Sequence, residues 1–201
     1  MMERGFRAFP TVPATGVSLP SIASICSSLI RVDTSNFGPG HARGESGCVD
    51  YLESLLDGTP FERIRLEAGP GRSNLIVRVP GRDPSASGLV CHGHLDVVPA
   101  DPDRWSFDPF AGDIVDGCVR GRGAVDMKDF VSAMVEVLLD WSREGVLPPH
   151  PTVFAFVADE ETDGAYGAAW LVREHPGLFD GVRYALGESG GMLTPWTDAN
   201  G

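Results

Sequence analysis

Apolar residues change their spacing several times along the chain, and each change predicts an element. In "SLPSIASICSSLIRVDTSN", Ile22, Ile25, Cys26, Leu29 and Ile30 recur at helical intervals, with Ser18 as a candidate N-cap and Pro20 near the first turn. "FGPGHARGESG" is a Gly-rich loop, and "GCVDYLESLLDG" reads as a second helix stopped by Gly58. "FERIRLEA" and "SNLIVRVPG" alternate as strands do. "GLVCHGHLD" is more continuously apolar, the pattern of a strand at a sheet centre. Asp116-Gly117, between "DIV" and "CVR", is a two-residue hairpin signal. From about Met127 to Arg143, Val131, Met134, Val135, Leu138 and Leu139 share one helical face. "PTVFAFVADEE" is another buried strand, "GAYGAAWLVREHP" a helix ended by Pro176, and "VRYALGES" a last strand. Strands alternating with helices imply an α/β fold with a largely parallel sheet. In such sheets ligands bind at the carboxyl ends of the strands.

Composition changes this picture little. The 201 residues suffice for one core of ordinary size, and 42% hydrophobic with 22% charged residues is globular usage. The net charge of −12 argues against nucleic acid and against anionic membranes as partners, and its ordinary meaning is solubility. "MMERGFRAFPTVPATG" has no apolar stretch of secretory type, and no apolar run reaches membrane-spanning length. Residues 1–16 are expected to form a loose tail, and the chain to be cytoplasmic. Cys26, Cys48, Cys91 and Cys118 form no C-x-x-C pair, so reduced thiols are expected, with Cys91 as a small buried residue.

The chemistry gathers at strand ends. His94 and Asp96 end one strand, Asp159, Glu160 and Glu161 a second, and Glu188 a third; Asp126 precedes a helix. Singly, each has an ordinary role: His94 a hydrogen-bonded core histidine, Asp96 or Asp126 a cap, "DEE" a solvated loop. Jointly they are carboxylates that repel one another unless some protonate or a cation sits among them. Imidazole with carboxylates suits zinc. His92 lies on the same strand face as His94 and is expected to pack or support and not to ligate.

"HGHLDVVP", "WSFDPFAGDIVDGCVRGRGAVDMKD", "ADEETDG" and "GES", in that order and spacing, resemble one family. It is the co-catalytic zinc metallopeptidase family of aminoacylase, acetylornithine deacetylase, succinyl-diaminopimelate desuccinylase and glutamate carboxypeptidase. The resemblance runs from roughly Leu19 to Gly191. It implies a three-layer α/β/α, zinc-exopeptidase-like fold with a central mostly parallel sheet, truncated, and amide-bond hydrolysis on small N-acyl amino acids or peptides. It further implies two Zn2+ ions, with Co2+ or Mn2+ as substitutes. His94, Asp126 and Glu188 would hold one ion; Asp126 and Glu161 would hold the other. Asp96 would orient His94, Glu160 would act as general base, and the Asp126-Met127 peptide bond would be cis.

The sequence also departs from that family. Residues 17–192 correspond to the N-terminal portion of the catalytic domain, followed by a tail over 193–201, "LTPWTDANG". The lid domain, through which family members often form homodimers, and the later segment with its histidine ligand are expected to have no counterpart. His41, His150 and His175 sit in loop or helix-end contexts that match neither that ligand nor the histidine by which the lid would stabilise the oxyanion. The expectations are one zinc bound more tightly than a second, little hydrolysis by this chain alone, and an uncovered sheet edge near the C-terminal end. The competing reading is a non-catalytic metal- or partner-binding fragment complemented by a separate second half. A binuclear phosphoesterase fits less well, because adjacent Glu160 and Glu161 suit a division into base and ligand.

Overall fold

The structure, a computed structural model of the chain, describes residues 20–188. The tails over 1–16 and 193–201 and the Ser18 cap lie outside the described residues. Helix α1 (Ile22–Ile30) is capped by Ser21, whose Oγ accepts from the Ser24 amide at 3.3 Å. Helix α2 (Ser46–Leu56) buries Cys48, Val49, Leu52 and Leu56, and the chain turns away at Gly58. Strands β1 (Glu62–Gly69) and β2 (Arg72–Val79) form an antiparallel hairpin. Strand β3 (Gly88–His94) follows. The expected small hairpin pairs β4 (Asp113–Val115) with β5 (Cys118–Arg120). Its turn residues Asp116 and Gly117 have φ of 52° and 78°, as a type I′ turn requires. Helix α3 (Lys128–Glu144) ends on Gly145 in the left-handed conformation. Strand β6 (Thr152–Val157), helix α4 (Ala168–Glu174) and strand β7 (Val182–Leu186) complete the chain order. Helix α4 is shorter than its apolar pattern suggested, because residues 161–167 are used in turns, with Gly164 at a φ of 66°.

The five-stranded sheet has the order β1-β2-β6-β3-β7. Strand β3 pairs in parallel with β6 and with β7, whereas β1–β2 and β2–β6 are antiparallel. The sheet is therefore mixed. Its antiparallel part arises because a tight turn at Pro70-Gly71 joins β1 to β2, which only antiparallel strands permit. The parallel part, β6-β3-β7, carries the site.

Two apolar clusters fill the layers. On one face α1, α2 and α3 press Ile25, Leu29, Leu52, Leu138 and their neighbours onto Leu75, Val77, Phe154 and Phe156. On the other, Leu171 of α4 packs with Ile76, Val153, Ala155 and Val157. This is the expected three-layer α/β/α arrangement, with its second helical layer thin. Every residue of β6 is buried, which explains its unbroken apolar run. Each large side chain hidden this way contributes about 1.5–3 kcal/mol. Strand β7 is different: it lies at the sheet edge, with Tyr184 63% and Leu186 50% exposed. Among the described residues no strand pairs with its outer side, which accords with the uncovered sheet edge or apolar face expected near the C-terminal end. Cys26, Cys48 and Cys91 are buried free thiols, and Cys118 is exposed.

Candidate metal centre

Parallel strands bring the reactive side chains to one end of the sheet. His94 is the last residue of β3, Asp159 to Glu161 lie just beyond β6, and Glu188 lies two residues beyond β7. Asp126 sits in the turn leading into α3, and its peptide bond to Met127 is cis, as the resemblance implied. The His94 ring is buried at the centre. Its Nε2 lies 2.9 Å from Asp126 Oδ1, 3.6 Å from Glu160 Oε2 and 3.9 Å from Glu188 Oε1. Ligand atoms of His94, Asp126 and Glu161 fall within 4.8 Å of one another, and so do those of His94, Glu160 and Glu188. The five residues thus lie near one another, but grouped differently from the two expected ligand sets: Glu161 falls with His94 and Asp126, and Glu160, expected as the base, falls with His94 and Glu188. The two groupings share His94, whose ring lies between them.

The donor set fits a divalent cation on a chemical argument. His94 Nδ1 is 2.8 Å from the Asp96 backbone carbonyl, which can only accept, so Nδ1 carries the proton. In the neutral ring Nε2 then presents a lone pair to the oxygens of Asp126, Glu160 and Glu188. Lone pair against carboxylate is repulsive unless a proton or a metal ion lies between. The pKa directions express the same strain. Burial works against a charged His94, yet Asp96, Glu160 and Glu161 outweigh it and raise its pKa. Burial, then Asp126, raises Glu161 and Glu188 above the ordinary glutamate range. A cation favours the opposite state of each group: neutral histidine and ionised carboxylates.

Behind the cluster stands a layer of support. The Asp96 carboxylate lies 3.7 Å from His94 Nδ1, farther than its own backbone oxygen. It accepts instead from the amides of Glu160 (3.0 Å) and Glu161 (3.2 Å) and from Asn36 Nδ2 (2.9 Å). Asp96 therefore orients the ring through its main chain and the Glu160-Glu161 turn through its side chain. Glu161 Oε1 accepts from the Val98 amide at 3.1 Å. His92 is half-buried beneath Gly187, where a Cβ would run into the imidazole ring. Gly187 thus lets the chain cross His92 on its way to Glu188, and His92 packs as expected.

Sequence reasoning missed several contributors. Lys128 is fully buried and donates from Nζ to the carbonyls of Leu29 (3.0 Å) and Val32 (2.9 Å), which ties the Asp126 turn to the end of α1. Asn36, Glu45 and Arg72 are also buried and polar, as is Asp159, which the sequence already places in the strand-end group. Burial opposes the charge of Asp159, but bonds from Thr162, Asn36 and the Tyr166 amide, with the Arg72 charge, hold its pKa below the usual range. Burial pushes the Glu45 carboxyl up to about 7 despite its Arg72 partner. An Asn-x-x-x-x-x-x-x-x-Glu or a single Arg at a strand start gives no signal that survives in one sequence.

Residues 90–195, more than half of the chain, match the model of peptidase family M20/M25/M40. The chain belongs to this family. Among curated M20 relatives, it is 39% identical over 129 residues to a succinyl-diaminopimelate desuccinylase of Cereibacter sphaeroides, covering 64% of this chain and 33% of the relative. It is 34% identical over 152 residues to aminoacylase-1 of Sus scrofa, covering 75% and 37%. The chain thus spans about a third of the length of these relatives. Among solved structures, the Saccharomyces cerevisiae dipeptidase Dug1p superposes with a TM-score of 0.67 at 22% identity, covering 84% of this chain and 38% of that one. The Bacillus subtilis YXEP protein, a dinuclear metal binding peptidase from the M20 family, gives 0.57 at 18% identity, covering 83% and 41%. These structural likenesses establish the α/β fold. Desuccinylase and aminoacylase are hydrolases, so the family is one of hydrolytic enzymes. Among the described residues no helix is long and apolar enough to cross a membrane.

Proposed function

We propose that this site serves zinc-dependent hydrolysis of an amide or peptide bond in a small substrate, an N-acyl amino acid or short peptide bearing a free carboxylate. The observation that carries it is His94 Nε2 facing Asp126, Glu160 and Glu188 at 2.9–3.9 Å, at the carboxyl ends of parallel strands. His94, Asp126 and Glu188 would hold one zinc; Asp126 and Glu161 would hold a second, with Co2+ or Mn2+ able to replace it. Bound zinc would lower the pKa of a water and polarise the scissile carbonyl. Glu160, its side chain 46% exposed and 3.6 Å from His94 Nε2, would accept a proton from water and return it to the leaving amine nitrogen. Asp96 accepts from the Glu160 amide, which supports the start of this turn; in the proposed division of roles Glu160 serves as base and Glu161 as ligand.

The test is hydrolysis of N-succinyl and N-acetyl amino acids and of dipeptides, with zinc, by this chain and by a longer one of relative-like length. Turnover that vanishes in Glu160→Gln while zinc still binds supports the reading; turnover unaffected by that change rejects it. A second reading is favoured by the exposed β7 edge. On that reading the chain is a metal-binding portion that gains activity when another segment pairs with β7, and activity restored by mixing with such a segment distinguishes it.

A further inference from the structure

A chain of buried polar contacts runs from β2 to the carboxylates and takes no direct part in holding metal. At its far end Glu45, fully buried, accepts from Arg72 Nε and Nη2, both at 2.9 Å. This is the two-pronged geometry that suits a guanidinium and a carboxylate. The same Arg72 Nη2 donates to Asp159 Oδ1 at 2.9 Å, and the guanidinium lies 5.1 Å from the Tyr166 ring centroid. Asp159 Oδ1 also accepts from Asn36 Nδ2 (2.9 Å) and Thr162 Oγ1 (2.8 Å), while Oδ2 accepts from the Tyr166 amide (3.2 Å). Asn36 passes its second N–H to Asp96, which in turn holds the amides of Glu160 and Glu161.

The backbone shows what this network does. Asp159 has a φ of 65°, the left-handed region that few non-glycine residues occupy. Successive side chains of an extended strand point to opposite faces. The left-handed step at Asp159 ends β6 and turns the next two amides onto the Asp96 carboxylate. Glu160 and Glu161 can then both reach the His94 cluster by different paths. Among Glu45, Asp159 and Asp96, Arg72 supplies the cation within this network.

We infer that Arg72 is a positioning residue, clamped by Glu45, that locks Asp159 in its left-handed turn and so sets where Glu160 and Glu161 stand around the metal. The inference rests on the proposed metal-dependent reading of the site. It extends that reading to a residue whose hydrogen bonds go to Glu45 and Asp159 and to none of the candidate ligands.

The experiment is zinc titration of the full 201-residue chain, together with the visible absorption spectrum of its Co2+ form. Arg72→Met is expected to weaken zinc about 10–100-fold, the range for loss of a partner behind metal ligands, and to alter the Co2+ spectrum. Arg72→Lys keeps the charge but loses the fork; it is expected to fold and to bind zinc between wild type and Arg72→Met, and it decides the matter if the methionine variant does not fold. Leu138→Ala, in the core away from the site, supplies a control of lowered stability whose zinc affinity stays within about twofold of wild type. Wild-type affinity and spectrum in the Arg72 variants, or losses no greater than in Leu138→Ala, overturn the inference while leaving the metal reading intact. Failure of the unaltered chain to bind zinc overturns both.

Discussion

Without metal, the cluster around His94 makes the folded chain hold protons that the unfolded chain would release. Glu161 and Glu188 have raised pKa values, from burial first and Asp126 second. Each is protonated in the fold at pH values where the unfolded residue, near 4.3, has ionised, so each contribution declines as pH rises from there through the raised value. His94 is raised as well: burial opposes its charge, and Asp96, Glu160 and Glu161 prevail. Its stabilising effect is complete below about 6.5 and disappears as pH rises through the folded value. Glu45, pushed by burial to about 7, acts in the same sense. The metal-free chain is therefore expected to melt lower at pH 8 than at pH 6. Lys128, lowered by burial, titrates in the opposite sense. The double variant Glu161→Gln/Glu188→Gln removes two raised groups, one of which also raises His94, while leaving Lys128 in place, and should flatten the pH slope. Zinc reverses the preference, since it takes neutral histidine and ionised carboxylates. At free zinc a hundredfold above Kd the gain is about 2.7 kcal/mol. For a domain of this size that is a rise of roughly 5–11 °C in Tm. Differential scanning calorimetry at the two pH values, with chelator and with zinc, measures both effects. Titration calorimetry in buffers of different ionisation enthalpy should show proton release on binding, greater at pH 6 than at pH 8. A metal-free Tm that rises from pH 6 to pH 8, with the double variant rising in parallel, would refute the reasoning, as would zinc binding without proton release.

His94→Ala removes the imidazole shared by both groupings and should lower zinc affinity at least about 100-fold, read by titration calorimetry. Zinc titration of the unaltered chain should show one tight equivalent and a markedly weaker second, because the second set, Asp126 and Glu161, has no imidazole of its own. Gly167→Ala should destabilise by about 1–3 kcal/mol in urea unfolding, since its Cβ would overlap the Ala158 carbonyl oxygen at the end of β6. Phe156→Ala, in the middle of that strand, should cost about 3–5 kcal/mol in the same assay while leaving the ligand set itself intact.

The elements were legible where the apolar period was long or the turn chemistry specific. The α3 face and the Asp116-Gly117 hairpin both stand within a residue of their expected places, because helical burial and a type I′ turn each impose a local rule. The sheet was less legible. Apolar runs say that β2, β3 and β6 are buried, but not which neighbours they take, and the antiparallel insertion of β1–β2 beside β6 follows from a tight turn whose partner strand lies some 80 residues on. Helix α4 lost its first turns to Gly164 and Gly167, which an apolar count weighs too lightly.

The site divides along the same line. His94, Glu160, Glu161 and Glu188 were readable because charges at the ends of apolar strands have no cheap structural explanation, and Asp126, at a helix start, through the family resemblance. Their supports Asn36, Glu45, Arg72 and Lys128 were not, because each looks like an ordinary loop or surface residue until the fold buries it; Asp159 stood in the strand-end group, but without its supporting role. Yet the supports decide whether the readable residues converge. The Glu160-Glu161 pair is adjacent in sequence and would diverge across an extended strand. It meets at His94 because Asp159 turns left-handed and Asp96 receives the next two amides. A ligand set read from sequence is thus a statement about chemistry, and its geometry is held by buried polar contacts between segments as far apart as Asn36 and Asp159.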